Sequence, residues 1–366
     1  MLGDHEIKIL AEIRKNPYIS QMDLAEKIGL SRSAVAGLIS GLTREGEILG
    51  KAYVLNEDKH QKIVCVGGAN IDQKWLLHET FQLHTSNPAS IKWSIGGVVR
   101  NVAENLGRLS QLVTLLTITG KDHLGDQVIE HSSKFMDVSR VQQLDDENTG
   151  SYQAILQPDG EMISGLADMQ IMEKMNEEWI KGWKAVLKGA GWIIADNNLP
   201  RETIDYLLHF SKKEKKKLIL LGVSSPKTAR LPRKLSGTFL ALFNADETQA
   251  YFGVKETDVE KLAALWISAG CQKAVVTHST KDIGFADEND GNGRYEVEKA
   301  PVVMDATGAG DSFAAGVIYG LSQRENLEEA VKYGMVNSFY TVQTIESVRP
   351  TLTEEKLRKE LKERFK

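Results

Sequence analysis

The chain has 366 residues, 42% of them hydrophobic and 26% charged, with a formal net charge of −5. That length exceeds one ordinary core and implies two domains, one of them large, while so mild an acidic balance excludes a global attraction to nucleic acid or anionic lipid. Two cysteines, Cys65 and Cys271, exclude a disulfide framework, and no apolar run approaches a membrane span.

The opening MLGDHEIKIL carries early charges and no long apolar run. It does not read as a signal peptide, so a reducing, cytoplasmic location is expected. Residues 1–57 read as a unit. DHEIKILAEIRKN places Ile7, Leu10, Ala11 and Ile13 at helical spacing, and Asn16-Pro17 stops it. SQMDLAEKIG predicts a second helix, capped at Ser20 and ended by Gly29. LSRSAVAGLISGLTREGEI predicts a third, capped near Ser31, with Val35, Leu38, Ile39 and Leu42 on one face. ILGKAYVL then predicts a small hairpin. This order is that of a winged helix-turn-helix.

NEDKHQ is a short polar stretch, of which 58–61 form the linker to a second unit, 62–366. KIVCVGG predicts a buried strand, and strand–helix alternation continues to the end. LVTLLTIT, AGWIIAD, KKLILLGV, FLALFN and KAVVTH are further short apolar strands. NEEWIKGWKAVLKG, RETIDYLLHFSKK and DVEKLAALWISAG are helices between them. The fold class is therefore α/β, doubly wound, with a mostly parallel sheet. Two stretches depart from it. SYQAILQPDGEMISGL alternates around a Pro-Asp-Gly turn, and QKWLLHETFQLHTSNPASIKWSIGG lacks helical periodicity. Together they predict a small β lid, from about 73–95 and 149–166, covering a site at one sheet edge.

Three glycine-containing turns follow predicted strands: GGANID, GGVVRN and ATGAGD. In open α/β sheets ligands bind at the carboxyl ends of strands, so these turns can converge on one crevice. In DATGAGDSFAAG the three small residues Gly308, Ala309 and Gly310 lead into a helix, whose free amides and positive dipole end suit an anion. If that anion is a phosphoryl group in transfer, the amides of Ala309, Gly310 and Asp311 stabilise its charge, and Asp311 accepts the proton of the attacking hydroxyl. A helix capped by an acid after a tight turn fits the same residues equally well.

Beyond this physical reading, Asp305 to Asp311 resembles the second signature of the ribokinase-like (PfkB) carbohydrate kinases. GGVVRNVAENLGRL resembles their first signature, GKDHLG their G-x-D-x-x-G, and NADE their N-x-x-E motif, in the expected order from residue 62 to about 350. Within the family, SNPASIKWSIGGVVRN, ENTGSYQAIL, GEMISGLADMQI and IIADNNL are similar to the pseudouridine kinases, some of which carry an N-terminal helix-turn-helix. The resemblance implies transfer of the ATP γ-phosphate to the 5′-hydroxyl of a C-linked nucleoside. It implies that Asp72 binds ribose hydroxyls with Asn70 beside it, that Gly96 and Gly97 let the backbone approach the sugar, and that Asn101 bonds a hydroxyl. Ser86, Thr149 and Asp168 become candidates for reading the base; an Asp168 carboxylate could accept the N–H that pseudouracil has and uridine lacks. Asn244 and Glu247 would position Mg2+, through water, with the phosphates. Thr277, Ser279, Thr307, Gly308 and Gly310 would contact ATP, Asn337 would face the adenine, and the Asp305 region would hold a monovalent cation such as K+.

Two departures stand out: THSTKDIG lacks the first glycine of the family's nucleotide loop, and Gly222 stands where an aspartate is common. In residues 1–57 seven basic side chains face eight acidic ones, a poor balance for phosphate attraction. DNA binding as a homodimer and a dimerisation or packing role are therefore both open for this unit. For the whole chain three readings stand: a nucleoside kinase with a DNA-binding appendage, a kinase of another sugar or nucleoside (ribose, fructose, adenosine or an inosine-like acceptor), and a regulator that uses a kinase fold as sensor.

Overall fold

The computed structural model describes residues 2–50 and 62–365. The predicted linker 58–61 and most of the predicted hairpin lie outside the described residues.

The front unit has helices Asp4–Lys15, Gln21–Ile28 and Arg32–Arg44. Ser20 and Ser31 cap the second and third, their hydroxyls accepting from the amides of Asp23 (3.1 Å) and Ala34 (3.2 Å). Gly29 ends the second helix in the left-handed region at φ 75°. Ile9, Leu10, Ile13, Leu24, Val35 and Leu42 form its core. The predicted stripe on the first helix is shifted: Ile7 is exposed and Ile9 buried.

The second unit is built on one eight-stranded sheet. Its order across is Gly291–Glu296, Asp282–Asp287, Lys273–His278, Thr238–Asn244, Lys217–Leu221, Trp192–Asp196, Ile63–Val66 and Val113–Leu116. The last six are parallel and mainly apolar in their central residues, because both faces of the sheet are covered. The first two pair antiparallel. The sequence reading missed them, since the edge strand GNGRYE is polar and glycine-rich with no apolar run. LVTLLTIT divides: Val113–Leu116 joins the main sheet, while Ile118–Gly120 pairs with Gln142–Leu144. NEEWIKGWKAVLKG likewise breaks into Glu177–Gly182 and Lys184–Gly189.

A separate four-stranded sheet forms the lid, in the order Ala89–Gly96, Asn70–Leu77, Ser151–Leu156, Met162–Asp168. Helices Ala309–Ser322 and Leu327–Thr341 pack backbone to backbone; a Cβ on Gly316 would meet the Tyr333 carbonyl at 2.5 Å. That contact fixes the helix whose first turn carries Asp311. Among the described residues no helix is long and apolar enough to cross a membrane.

Candidate active site

The turn before Ala309–Ser322 admits only glycine at its apex. Gly308 sits at φ 80°, and a Cβ there would lie 2.0 Å from the Ser347 carbonyl oxygen. Gly310, by contrast, faces open space. The amide of Ala309 donates to Ala306 O at 3.2 Å, so it is not available to an anion as expected. The amides of Gly310 and Asp311 have no protein acceptor among the described residues, which leaves two unpaired donors at the helix N-terminus. Asp311 is half-buried, and its Oδ2 accepts from Asn101 Nδ2 at 2.7 Å. Burial pushes its carboxyl up to about 7, opposed by the Asn101 bond and reinforced by the carboxylates of Asp72 and Asp196. A carboxyl poised near neutrality is suited to take a hydroxyl proton.

The other two turns lie beside this one. Asn70 Nδ2 donates to Asp72 Oδ1 at 2.6 Å, and burial pushes the Asp72 carboxyl up to about 6. Gly96 is obligatory because a Cβ would stand 2.2 Å from Asp72 Oδ2. Gly97, at φ 99°, lies against the Gly68 carbonyl. Asn101 Oδ1 is buried with no donor among the described residues. Three further residues join this region without having been singled out. Arg100, 1% exposed, is held by Glu104 and lies in the field of both Asp72 and Asp311. Asp196 is buried and accepts from the amides of Gly68 (3.1 Å) and Val99 (3.2 Å), tying two of the turns together. Asn197 is buried, and neither atom of its amide has a partner among the described residues. The sequence signal of Asp196 and Asn197 was the polar run Asp-Asn-Asn directly after the apolar run WIIA.

Next to Asp311 lies a cavity of about 200 Å³ whose walls include Gly310, Asp311, Asn244, Glu247, Thr277 and Gly222. Asn244 and Glu247 form a reciprocal cap: Glu247 N donates to Asn244 Oδ1 (2.8 Å) and Asn244 N to Glu247 Oε2 (2.9 Å). Burial raises the Glu247 carboxyl above its ordinary range. Gly222 has a local reason, since a Cβ there would sit 2.0 Å from Glu247 Oε2. Ser279, in the loop that lacks a glycine, occupies the left-handed region at φ 51°. A second cavity of about 220 Å³ lies between Gly291–Arg294 and Asn326–Glu328, remote from these carboxylates.

Several expected site residues are placed elsewhere. Asn337 is fully buried; its Nδ2 donates to Asn105 Oδ1 (2.9 Å) and Ser312 O (2.8 Å), and its Oδ1 accepts from Arg349 Nε (3.1 Å), so it has nothing left for an adenine. Thr149 is buried, its hydroxyl donating to Asp122 Oδ1 at 2.7 Å and accepting from Gly120 N at 3.0 Å; it anchors a turn instead of reading a base. Ser86 is exposed in the loop 78–88 that joins the lid strands Asn70–Leu77 and Ala89–Gly96. Asp168 pairs with Ser151 and through it with Ile71, whereas Asp72 pairs with Tyr152. Cross-strand partners share a face, so Asp168 stands on the side of the lid opposite Asp72. Asp305, expected at a monovalent cation, has both oxygens engaged: Oδ1 accepts from Thr307 N (2.9 Å) and Oδ2 from Lys74 Nζ (2.6 Å). Thr307 spends its hydroxyl on the same ammonium, at 2.7 Å.

Comparison with known proteins agrees with this arrangement. Residues 2–46 match the winged helix-turn-helix DNA-binding family. An uncharacterized sugar kinase, YeiI, of Escherichia coli (strain K12) is 28% identical over 338 residues, covering 91% of this chain and 92% of that protein. The pseudouridine kinase of the same organism is 28% identical over 259 residues, 70% of this chain and 82% of its own. A solved carbohydrate kinase from Agrobacterium tumefaciens superposes with a TM-score of 0.74 at 26% identity, covering 82% of this chain and 97% of the other. The pfkB family carbohydrate kinase model matches residues 60–353, the span that contains all three turns, the lid and the cavity. The chain belongs to the pfkB family of carbohydrate kinases, phosphotransferases that act on an alcohol group of a sugar or nucleoside.

Proposed function

We propose that this chain is an ATP-dependent nucleoside kinase that phosphorylates the 5′-hydroxyl of pseudouridine. The observation that carries the chemistry is the Asp311 carboxylate, held by Asn101 beside two unpaired amides and an open cavity. Asp311 takes the proton from the acceptor hydroxyl while that oxygen attacks the γ-phosphorus and ADP leaves. The amides of Gly310 and Asp311 donate to the oxygens of the group in transfer. Asp72, Asn70 and the orphaned Asn101 Oδ1 hold sugar hydroxyls and aim the acceptor at Asp311.

Mg2+ belongs to the donor side. Glu247, with one oxygen on an amide and its carboxylate at the cavity wall, and Asn244 would hold it through water, where it neutralises phosphate charge.

Support for pseudouridine as acceptor comes from the similarity to the E. coli pseudouridine kinase over most of both chains. A second reading, another sugar or nucleoside as acceptor, is favoured by the positions of Ser86, Thr149 and Asp168, which leave the base without those three contacts. Coupled measurement of ADP release with pseudouridine, uridine, inosine, adenosine, ribose and fructose decides between them. The highest kcat/KM with pseudouridine supports the first reading, and a preference for any other acceptor replaces it with the second. Absence of turnover on the whole panel, with Asp311→Asn indistinguishable from the native chain, would leave a sensor without catalysis. For residues 2–46 we propose DNA recognition by the helix Arg32–Arg44, which offers Arg32 and Ser33 in its first turn.

A further inference from the structure

Lys74 and Lys92 stand directly opposite each other on neighbouring antiparallel strands of the lid. Like charges in that position repel, so the pair needs acceptors elsewhere. Both ammonium groups find them on the catalytic turn and the loop packed behind it. Lys74 Nζ donates to Asp305 Oδ2 at 2.6 Å and Thr307 Oγ1 at 2.7 Å, and Lys92 Nζ to Ile345 O at 3.3 Å. The two loops are themselves joined, Met304 N donating to Val342 O at 2.8 Å while Gly308 fits against Ser347. Thus the seam carries an ammonium at the position where the family resemblance implies a monovalent metal ion. A K+ ion does not fit these residues: each oxygen of Asp305 already has a donor, and a second positive charge beside Lys74 would be repelled.

We propose that Lys74 is a built-in substitute for the monovalent cation at Asp305, so that the turn bearing Asp311 is ordered by the lid and not by K+. Lys74 is a positioning residue in this scheme, acting through Asp305 and Thr307 on the backbone that presents Gly310 and Asp311. Its consequence is a kinase indifferent to K+, whose catalytic turn is complete only when the strand Asn70–Leu77 lies over it. The activity arm of the test rests on the kinase reading; the thermal arm does not.

The test compares the full chain with Lys74→Met and Lys74→Arg in buffers whose only monovalent cation is tetramethylammonium, with and without KCl at matched ionic strength. The native chain should show kcat/KM and melting temperature unchanged by K+. Lys74→Met should lose about 10²-fold in kcat/KM, the scale of a misplaced catalytic group, and should recover most of it with K+. K+ should raise the melting temperature of Lys74→Met alone, and Lys74→Arg should stay cation-independent. Activation or thermal stabilisation of the native chain by K+ would overturn the proposal. So would a Lys74→Met variant that folds but responds to K+ in neither measurement.

Discussion

The side-chain amide of Asn101 donates to Oδ2 of Asp311 across 2.7 Å, joining residues 210 positions apart in the chain. The bond ties the helix Val98–Arg108, which lies in the chain between the two halves of the lid, to the helix Ala309–Ser322. It also counters the forces that would keep Asp311 protonated: burial, Asp72 and Asp196. Through it the segments that carry Asn101 and Asp311 are held together.

Replacing Asp311 by Asn should lower kcat by about 10²–10⁴-fold, the usual worth of a general base. It should also raise thermal stability at pH 8. With its carboxyl pushed up to about 7, Asp311 favours the folded state when protonated, and that contribution is lost as pH rises through 7. The neutral amide removes that loss, so the gain in melting temperature should shrink as the pH is brought down toward 5. Parallel kinetics and thermal melts across this range check both halves; a variant less stable than the native chain at pH 8 would contradict the electrostatic account.

The pH profile of kcat/KM should rise with a midpoint near 7 as Asp311 ionises. Asn101→Ala removes a hydrogen bond that favours the ionised carboxylate, so its midpoint should move to higher pH. A variant that loses rate uniformly, with an unmoved midpoint, would assign Asn101 to acceptor binding alone.

Gly222→Ala would bring a methyl within 2.0 Å of Glu247 Oε2 and displace that carboxylate. Overpacking of this kind costs about 1–3 kcal/mol of stability. The expected kinetic signature is a raised KM for ATP with the acceptor KM unchanged. Titration of each substrate in turn distinguishes this from general damage, which would raise both.

The front unit should bind the promoter region of its own operon, with affinity falling steeply as salt is raised. Fluorescence anisotropy with the full chain and with a 58–366 truncation provides the comparison. Equal retention of DNA by both would move the binding away from residues 2–46.

Much of this was legible in the sequence because the information was local. Apolar runs of Val, Ile and Leu announce parallel strands wherever both faces are covered, and Ser20 and Ser31 announce helix starts by their own hydroxyls. Gly308 and Asp311 were readable for the same reason, since a turn and the helix end it feeds lie within a few residues. What the sequence could not decide was which side chains meet across the fold. Asn337 looked like a residue facing a nucleotide until Asn105, Ser312 and Arg349 were found around it. The face on which Asp168 stands is set by strand register, a pairing between distant segments that no local pattern reveals. Lys74 was one charge among many until the lid brought it to Asp305, 231 positions away. Local pattern is set by the backbone and its nearest neighbours, whereas the partners of a buried polar group are chosen by packing, and here that choice separates structural residues from those left to act.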